Sequence, residues 1–287
     1  MIVGVCKLTP TYGLTRIQFV LGGVIVILAI IIFFLVSILL SMVGLGGGAF
    51  YVPLLLALGY GFQGASTISL FLIMVAGFAA FLQFRQAKLV DWQLAVVMET
   101  FTDIGAFAGG FTSRHFSDVY LKILFGILLL IASYFIIRMQ WRKGNAVKLK
   151  TGFGYWQREF AGNNYSIFIP AIIPITFAIG YLSGLLGVAG GLLKIPIMIL
   201  WFSVPAKIAV ATSSLMVSLT GLLGFGGHLI NISIDWGMAI GLGVVVFIGG
   251  QIGSRISVKL PEKKVKVLLA IVFVLLGLWM IMKSVFL

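Results

Sequence analysis

Residues 41–53 read SMVGLGGGAFYVP, and this stretch decides the fold because it interrupts a long apolar run. The glycines of this first break are Gly44, Gly46, Gly47 and Gly48, and Pro53 follows them where the apolar run resumes. Backbone groups freed inside hydrocarbon find no water, so such a break is tolerated only where the backbone is buried in protein or lines a cavity. The stretch therefore predicts a functional break in a membrane helix.

Residues 183–196 read SGLLGVAGGLLKIP and repeat this pattern. The glycines of this second break are Gly187, Gly190 and Gly191, and Pro196 stands where the first copy has Pro53. Matching breaks in two halves of a chain are the best sequence pointer to the binding site of a transporter. We expect one site, formed by both breaks.

The composition is that of a polytopic membrane protein. Of the 287 residues 61% are hydrophobic and 9% are charged, whereas soluble domains are nearer one half and one quarter. The net charge of +13 is interpreted as basic cytoplasmic loops lying against anionic lipid, and not as a nucleic-acid site. The single cysteine, Cys6, excludes an intrachain disulfide and a cysteine-based metal cluster.

Apolar runs of about 18 residues or more predict membrane spans. In the first half these cover residues 17–43, 64–84, 92–111 and 119–137, with a short apolar piece over 52–58. In the second half they cover residues 165–186, 206–229, 236–256 and 265–285, with a short piece over 195–202. The first run is too long for a cleavable signal peptide. We divide the chain into a first transmembrane repeat (1–143), a basic cytoplasmic linker (144–164) and a second repeat (165–287).

The predicted fold class is all-α, with two tandem repeats of about four spans each plus a glycine-broken half-helix, or 8–10 crossings in total. Gly44 and Gly187 are 143 residues apart, and Asp91-Trp92 recurs as Asp235-Trp236 at an offset of 144. If the short pieces are re-entrant, the halves are parallel; if they cross, the halves are inverted. The distribution of Lys and Arg favours inversion, and the shortness of the pieces favours re-entrance.

Three features of the sequence occur twice: the GxGGG-x4-P pattern, the Thr-Ser cluster about fifteen residues after each break, and the Asp-Trp pair that opens the next span. Together they resemble the TauE/SafE family of membrane transporters, the sulfite-exporter group. The resemblance covers essentially the whole chain apart from the N-terminal tail and the linker. It implies a secondary transporter that exports small sulfur-containing anions such as sulfite or sulfoacetate.

The second break departs from the first at two positions. Ala189 stands where the first copy has Gly46, and Lys194 stands where it has Tyr51. We therefore expect a site that is pseudosymmetric in backbone and asymmetric in charge.

Each break predicts unwound backbone that leads into a new helix. Glycine permits φ > 0 and close approach of a ligand, and the proline is expected in the first helical turn, where its missing N–H is harmless. The N-terminus of such a helix offers unpaired N–H donors and the positive end of a dipole, which suits an anion. The alternative interpretation is close helix packing through small residues.

Hydroxyl clusters follow both breaks and are candidate anion ligands: Ser66, Thr67 and Ser69, and Thr212, Ser213 and Ser214. Such hydroxyls donate to oxyanions, but they also bond to carbonyls of their own helix. Gln251, among glycines of the last predicted repeat, is a weaker candidate for the lining of the site.

Three charged residues are candidates for the site: Lys194, within the apolar run after the second break, and Glu99 and Asp103, the only acids well inside a predicted span. Lys194 is interpreted as a partner of the anion or of an acidic side chain, with snorkelling to the headgroups as the alternative. Glu99 and Asp103 share one helical face at i, i+4, which suits proton coupling because burial favours the protonated form. The alternative is a structural ion pair with Lys194, Arg85 or Arg114.

Other polar residues receive simpler interpretations. His115 and His228 fall at span ends and are interpreted as interfacial, with no metal-ligand spacing. Asp91 and Asp235 are predicted N-caps, each beside a tryptophan that anchors the interface. No GxxxxGK pattern followed by Ser or Thr, and no HExxH, occurs in the sequence, so we expect no nucleotide drive, no cofactor and no enzymatic activity.

The expected partners are a small anion and the lipid bilayer of the cell membrane, with proton coupling and a homodimer as open options. Import, or a different anion such as a carboxylate, is the alternative within transport. A membrane-embedded enzyme or a scaffold is less supported, because no nucleophile and base lie near each other in the sequence.

Overall fold

The computed structural model describes residues 14–141, 152–188, 190–230, 232 and 234–259, together with residues 274, 275, 278 and 282. The predicted span over 265–285, apart from those four residues, and the first part of the predicted linker lie outside the described residues. Cys6 and Ala189 lie outside them as well.

Helices make up almost all of the described chain. They are α1 (Leu14–Met42), α2 (Gly48–Ala57), α3 (Phe62–Gln86), α4 (Trp92–Thr112), α5 (Asp118–Trp141), α6 (Ile169–Leu186), α7 (Gly191–Leu200), α8 (Ala206–Leu229) and α9 (Trp236–Lys259). Among the described residues, six helices are long and apolar enough to cross a membrane. The all-α, polytopic prediction is therefore confirmed, and α3, α4, α5, α8 and α9 begin within two residues of the predicted spans.

A β-hairpin occupies the part of the predicted linker that the structure describes. Strands β1 (Tyr155–Phe160) and β2 (Asn163–Phe168) pair antiparallel. Ala161 and Gly162 both have positive φ (50° and 72°), as the favoured two-residue hairpin turn requires. The predicted span from residue 165 is therefore wrong at its start, because residues 165–168 extend β2 and the helix begins at Ile169.

The two breaks are followed by half-length helices. α2 and α7 have 10 residues each, or about 15 Å at 1.5 Å per residue, which is half of the hydrocarbon thickness. Both begin earlier than predicted, directly at a glycine, so Pro53 and Pro196 are the sixth helical residues and the first-turn prediction is wrong. Each proline lacks the N–H for the carbonyl four residues earlier.

Helices of the two predicted halves interleave. The α3–α8 contacts run from Thr67 with His228 to Met74 with Ser218, so these two helices are antiparallel. α4 lies parallel to α8, because Asp91 meets Thr212 and Glu99 meets Thr220. In the same way α9 lies parallel to α3.

Two further pairs, α4 with α6 and α1 with α9, are parallel and pack through glycines. A Cβ at Gly180 or Gly184 of α6 would overlap the carbonyl oxygens of Thr102 and Ala106 on α4, respectively. On the other pair, a Cβ at Gly253 of α9 would overlap the Ile38 carbonyl oxygen, and Ser37 donates to the Val246 carbonyl at 2.7 Å. Glycine is thus required for backbone contact at these sites, as is common between membrane helices.

Candidate functional site

The structure brings the two breaks together. The Gly44 carbonyl, just past the end of α1, accepts a hydrogen bond of 3.0 Å from the Ser213 hydroxyl on α8. A Cβ at Gly191, the first residue of α7, would lie 3.0 Å from the same carbonyl oxygen. Gly44, Gly46 and Gly47 have φ values of 69°, 75° and 95°, a conformation that residues with a side chain rarely adopt.

Hydroxyls of each half donate hydrogen bonds to backbone carbonyls at the break of the other half. Ser66 donates to the Leu186 carbonyl at 3.1 Å, and Ser69 donates to the Gly187 carbonyl at 2.7 Å. Ser213 holds Gly44 in the same way. Carbonyls at the end of a helix have no partner within it, so these hydroxyls satisfy the groups that the breaks release.

The other hydroxyls of the clusters serve the helices. Thr67 donates to Gln63 and Ser214 to Ala211 on their own helices, at 2.7 and 2.6 Å. This is the alternative that the sequence left open. Thr212 instead accepts the backbone N–H of Asp91 at 3.0 Å and so joins α8 to the start of α4.

His228 is buried, so its interfacial interpretation is wrong. Its Nε2 lies 2.8 Å from the Gly184 carbonyl oxygen, and its Nδ1 lies 3.0 Å from the Thr67 hydroxyl. The last turn of α8 is covered by α3 and α6, which the sequence position at a span end does not reveal. His115, in contrast, is exposed at the start of the α4–α5 connection.

A buried ion pair lies beside the second break. Lys194 Nζ is 2.6 Å from Glu99 Oε2 and 3.0 Å from the Thr220 hydroxyl, which in turn bonds to Glu99. Lys194 is fully buried and Glu99 nearly so. Lys194 also folds back over the α7 N-terminus, since a Cβ at Gly190 would lie 3.2 Å from Nζ. The pairing with an acid, one of the two options for Lys194, is thus observed, and snorkelling is excluded.

Asp103 lies one turn beyond Glu99 on α4. Its Oδ1 is buried and has no hydrogen-bond partner among the described residues. Gln251 lies elsewhere: it accepts from Gln83 and donates to the Ala79 carbonyl at 3.0 Å, so it joins α9 to α3. Within the predicted set, the charged residues therefore lie near the second break, and Gln251 lies on the other side of α3.

Asp91 and Asp235 are N-caps of α4 and α9, as predicted. Asp91, however, is also the centre of a larger cluster. Arg158 of β1 forms two hydrogen bonds of 3.0 Å with its carboxylate, and the Tyr165 hydroxyl of β2 donates a further one. Burial raises the pKa of Asp91, but the hydrogen bonds from Arg158, Tyr165 and the Leu94 N–H outweigh it, so the pKa lies below its ordinary value.

Sequence reasoning missed Arg158, Tyr165, Thr220 and Tyr51. Arg158 was assigned to the basic linker and Tyr165 to the following span, although the Ala161-Gly162 step between alternating side chains is a hairpin signal. Thr220 carries no sequence signal of its own. The signal for Tyr51 was available, since it takes the place of Lys194 in the first break.

Comparison with known proteins agrees with this architecture. The family model described as "Sulfite exporter TauE/SafE" matches residues 28–280. A "Probable membrane transporter protein YunE" of Bacillus subtilis is 30% identical over 257 residues, which are 86% of this chain and 93% of that protein. A "Probable membrane transporter protein" of Methanocaldococcus jannaschii is 26% identical over 89% of this chain and 95% of its own length. No solved structure matches the chain significantly. The chain is therefore a multi-pass membrane transporter and not an enzyme, and it belongs to the sulfite exporter TauE/SafE family.

Proposed function

We propose that this transporter exports small sulfur-containing oxyanions, such as sulfite, by alternating access at a site between the two breaks. The observation that carries the proposal is the contact between Gly44 and Gly191, which places the start of α7 against the end of α1. No side chain of the described residues caps α2 or α7, so the first N–H groups of both helices are available to an anion. Gly46, Gly48, Gly187 and Gly190 belong to the same site.

Lys194 supplies the positive charge in this proposal, and Glu99 controls it. While Glu99 is ionised, it neutralises Lys194, and an anion would have to compete with a carboxylate at 2.6 Å. A proton on Glu99 removes that competitor and leaves the ammonium for the substrate. Anion binding and protonation then favour each other by linkage, and the two move together.

Asp103 is proposed as the group that passes the proton to Glu99. It lies on the same face of α4, one turn away, and its Oδ1 has no partner among the described residues. A carboxylate at this depth in the membrane is energetically costly, and such residues are therefore interpreted as functional by default. Net flux follows the gradients of anion and proton, and export is proposed because the matching family is described as sulfite exporters.

Alternating access is supported by the arrangement of the helices. α3 and α8 each follow a break and carry a hydroxyl cluster, and they cross antiparallel. The equivalent pairs α1–α9 and α6–α4 are both parallel. Equivalent helices run in opposite directions only if the repeats are inverted, so we propose inverted repeats, which can exchange conformations to open either face.

The face that carries the hairpin is proposed to be cytoplasmic. Of the described basic side chains, the following lie at helix ends or strands of that face: Arg85, Lys88, Arg138, Arg158, Lys207, Arg255 and Lys259. Of the described residues, Arg114 and Lys122 lie at the opposite face, where α1 with Arg16 also begins, so the positive-inside rule supports this orientation. In a Cys6→Ser background, an impermeant maleimide should label Ser117→Cys but not Ala161→Cys in intact cells. The reverse labelling would refute the assignment.

Flux in proteoliposomes tests the transport proposal. Wild-type protein should carry sulfite, with a rate that rises when protons are supplied on the side of the anion. Glu99→Gln should abolish this pH dependence and Asp103→Asn should weaken it, whereas Glu159→Gln on the exposed hairpin serves as the control. Equal pH dependence in all four proteins would remove Glu99 and Asp103 from coupling.

A double variant separates transport from folding. Glu99→Gln alone leaves a buried ammonium unpaired, which costs about 3–5 kcal/mol, whereas replacing both members of a buried pair is often neutral. Glu99→Gln combined with Lys194→Met should therefore fold, and it should not transport. A double variant that transports sulfite like the wild type would show that the pair has only a structural role.

A further inference from the structure

The buried hydroxyl of Tyr51 suggests a function that the packing around it does not provide. Tyr51 is fully buried, and its Oη has no hydrogen-bond partner of good geometry among the described residues. Ser37 lies near it and donates its own proton to the Val246 carbonyl at 2.7 Å, and no hydrogen bond of good geometry joins the two hydroxyls. Buried polar atoms without a partner are rare and costly in native proteins, so this hydroxyl requires an explanation.

The hydroxyl lies at the N-terminus of α2. Helical side chains lean toward the N-terminus of their helix, and a Cβ at Gly47, the N-cap of α2, would lie 2.6 Å from Tyr51 Oη. The ring is held in place by Phe33 of α1, with which it stacks at a centroid distance of 5.5 Å. The unpartnered O–H therefore lies beside the uncapped first turn of α2.

The equivalent position in the second break shows what such a side chain can do. Lys194 stands four residues after Gly190 as Tyr51 stands four after Gly47, and it folds back over its N-cap in the same way. Lys194 is occupied by Glu99 and Thr220. Within the described part of the chain, the first break thus presents a neutral donor without a hydrogen-bond partner, and the second presents a cation that is paired.

From this difference we propose that Tyr51 forms an oxyanion subsite with the first N–H groups of α2, and that its hydroxyl donates to a substrate oxygen. The proposal rests on the proposed transport of small anions and adds a residue that selects among them. Ligands such as sulfite, alkylsulfonates and carboxylates present several acceptor oxygens, so different oxygens accept from this hydroxyl and from the first N–H groups. Chloride has a single acceptor atom for all of these donors. The subsite thus recognises oxygen rather than charge alone.

The test compares Tyr51→Phe with the wild type by thermal unfolding and by sulfite flux. A matched control is Tyr181→Phe on α6, which removes a hydroxyl that accepts a hydrogen bond of 3.0 Å from Thr112. The probes are sulfite, methanesulfonate, acetate and chloride. Tyr51→Phe should weaken apparent sulfite affinity by about 10-fold or more, as expected for one lost hydrogen bond to a charged group, and Tyr181→Phe should leave it unchanged.

Stability without anion gives a second readout. Loss of an unpartnered hydroxyl should leave the unfolding temperature of the anion-free protein unchanged or higher, because no bond is broken. An anion-free Tyr51→Phe protein that is destabilised, and that keeps its response to sulfite, would show a structural bond with Ser37 and overturn the subsite alone. A wild type that neither carries nor is stabilised by any probe anion would overturn the transport proposal, and the subsite with it.

Discussion

The same two residues, Asp and Trp, open α4 on one face of the molecule and α9 on the other, yet their surroundings differ. Asp91 is buried and holds Arg158, Tyr165 and the first turn of α4. Asp235 is exposed, caps α9 through the Met238 N–H at 3.1 Å, and bonds to the Tyr60 hydroxyl at 2.9 Å. Both satisfy the same local rule, but Asp91 is joined to the hairpin by three hydrogen bonds, whereas Asp235 is joined to the α2–α3 connection by a single exposed one.

The difference arises from the linker. Among the described residues, the hairpin is the segment inserted between the two halves. It brings the Arg158 guanidinium and the Tyr165 hydroxyl to Asp91, the N-cap of α4. The Asp91 N–H also bonds to Thr212, and the neighbouring Ser213 bonds to Gly44. The hairpin is therefore connected to the first break through Asp91, Thr212 and Ser213. A capping motif alone therefore does not determine how firmly a helix end is held.

The largest expected effect separates the two aspartates directly. Asp91→Ala should lower the free energy of unfolding by about 2–3 kcal/mol, from a lost cap of about 1 kcal/mol and lost hydrogen bonds to a charged group. Asp235→Ala should have a clearly smaller effect, because solvent replaces its partners. Thermal unfolding in detergent measures both. Equal destabilisation by the two substitutions would mean that the hairpin contributes nothing.

A smaller effect is expected for the pairwise interactions. In a double-mutant cycle, Asp91→Asn and Arg158→Gln should be non-additive by about 1 kcal/mol, since directly contacting groups couple. The cycle of Asp235→Asn with Tyr60→Phe should be additive within error. If instead the exposed pair couples more strongly, the contrast between the faces is reversed.

The smallest effect concerns pH. The pKa of Asp91 is lowered in the folded protein, so its stabilisation is complete above the unfolded value of about 3.9 and is lost only as the pH falls through the lower folded value. Hydrogen exchange in the hairpin should therefore stay constant from neutral pH down to about pH 4 once intrinsic rates are corrected, and rise only below it. A rise already between pH 7 and 5 would contradict a carboxylate held by Arg158 and Tyr165.

Most helices and both breaks could be predicted from the sequence, because the length of an apolar run and the presence of glycine are local signals. Ala206 and Leu229 were predicted as the limits of a span and are the limits of α8. The start of α6 was misplaced, since Tyr165 and Ile167 are as apolar in a strand as in a membrane helix. Tyr165 is buried with its hydroxyl bonded to Asp91 at the start of α4, a contact that periodicity in one segment cannot report.

For the candidate site, which stays a prediction, candidate residues could be named from the sequence but their partners could not. Both options for Lys194 were stated, and only the tertiary packing of α4, α7 and α8 chooses between an acid and the lipid surface. Ser66 and Ser213 were identified, but the sequence did not reveal that each serves a carbonyl of the opposite half, 120 and 169 residues away. A hydroxyl that bonds to a carbonyl of its own helix cannot be told from the sequence apart from one that bonds to a carbonyl of another helix.

The parallel contact between α1 and α9 has a consequence for how the protein is made. The Ser37 hydroxyl of α1 bonds to a carbonyl that is synthesised 209 residues later, which at about 5–20 residues per second takes roughly 10–40 s. During that time the first helix has been translated but its partner has not. The nascent α1 must therefore wait, in lipid or against the insertion machinery, and a ribosome stalled before residue 246 would leave an orphaned helix for quality control to recognise.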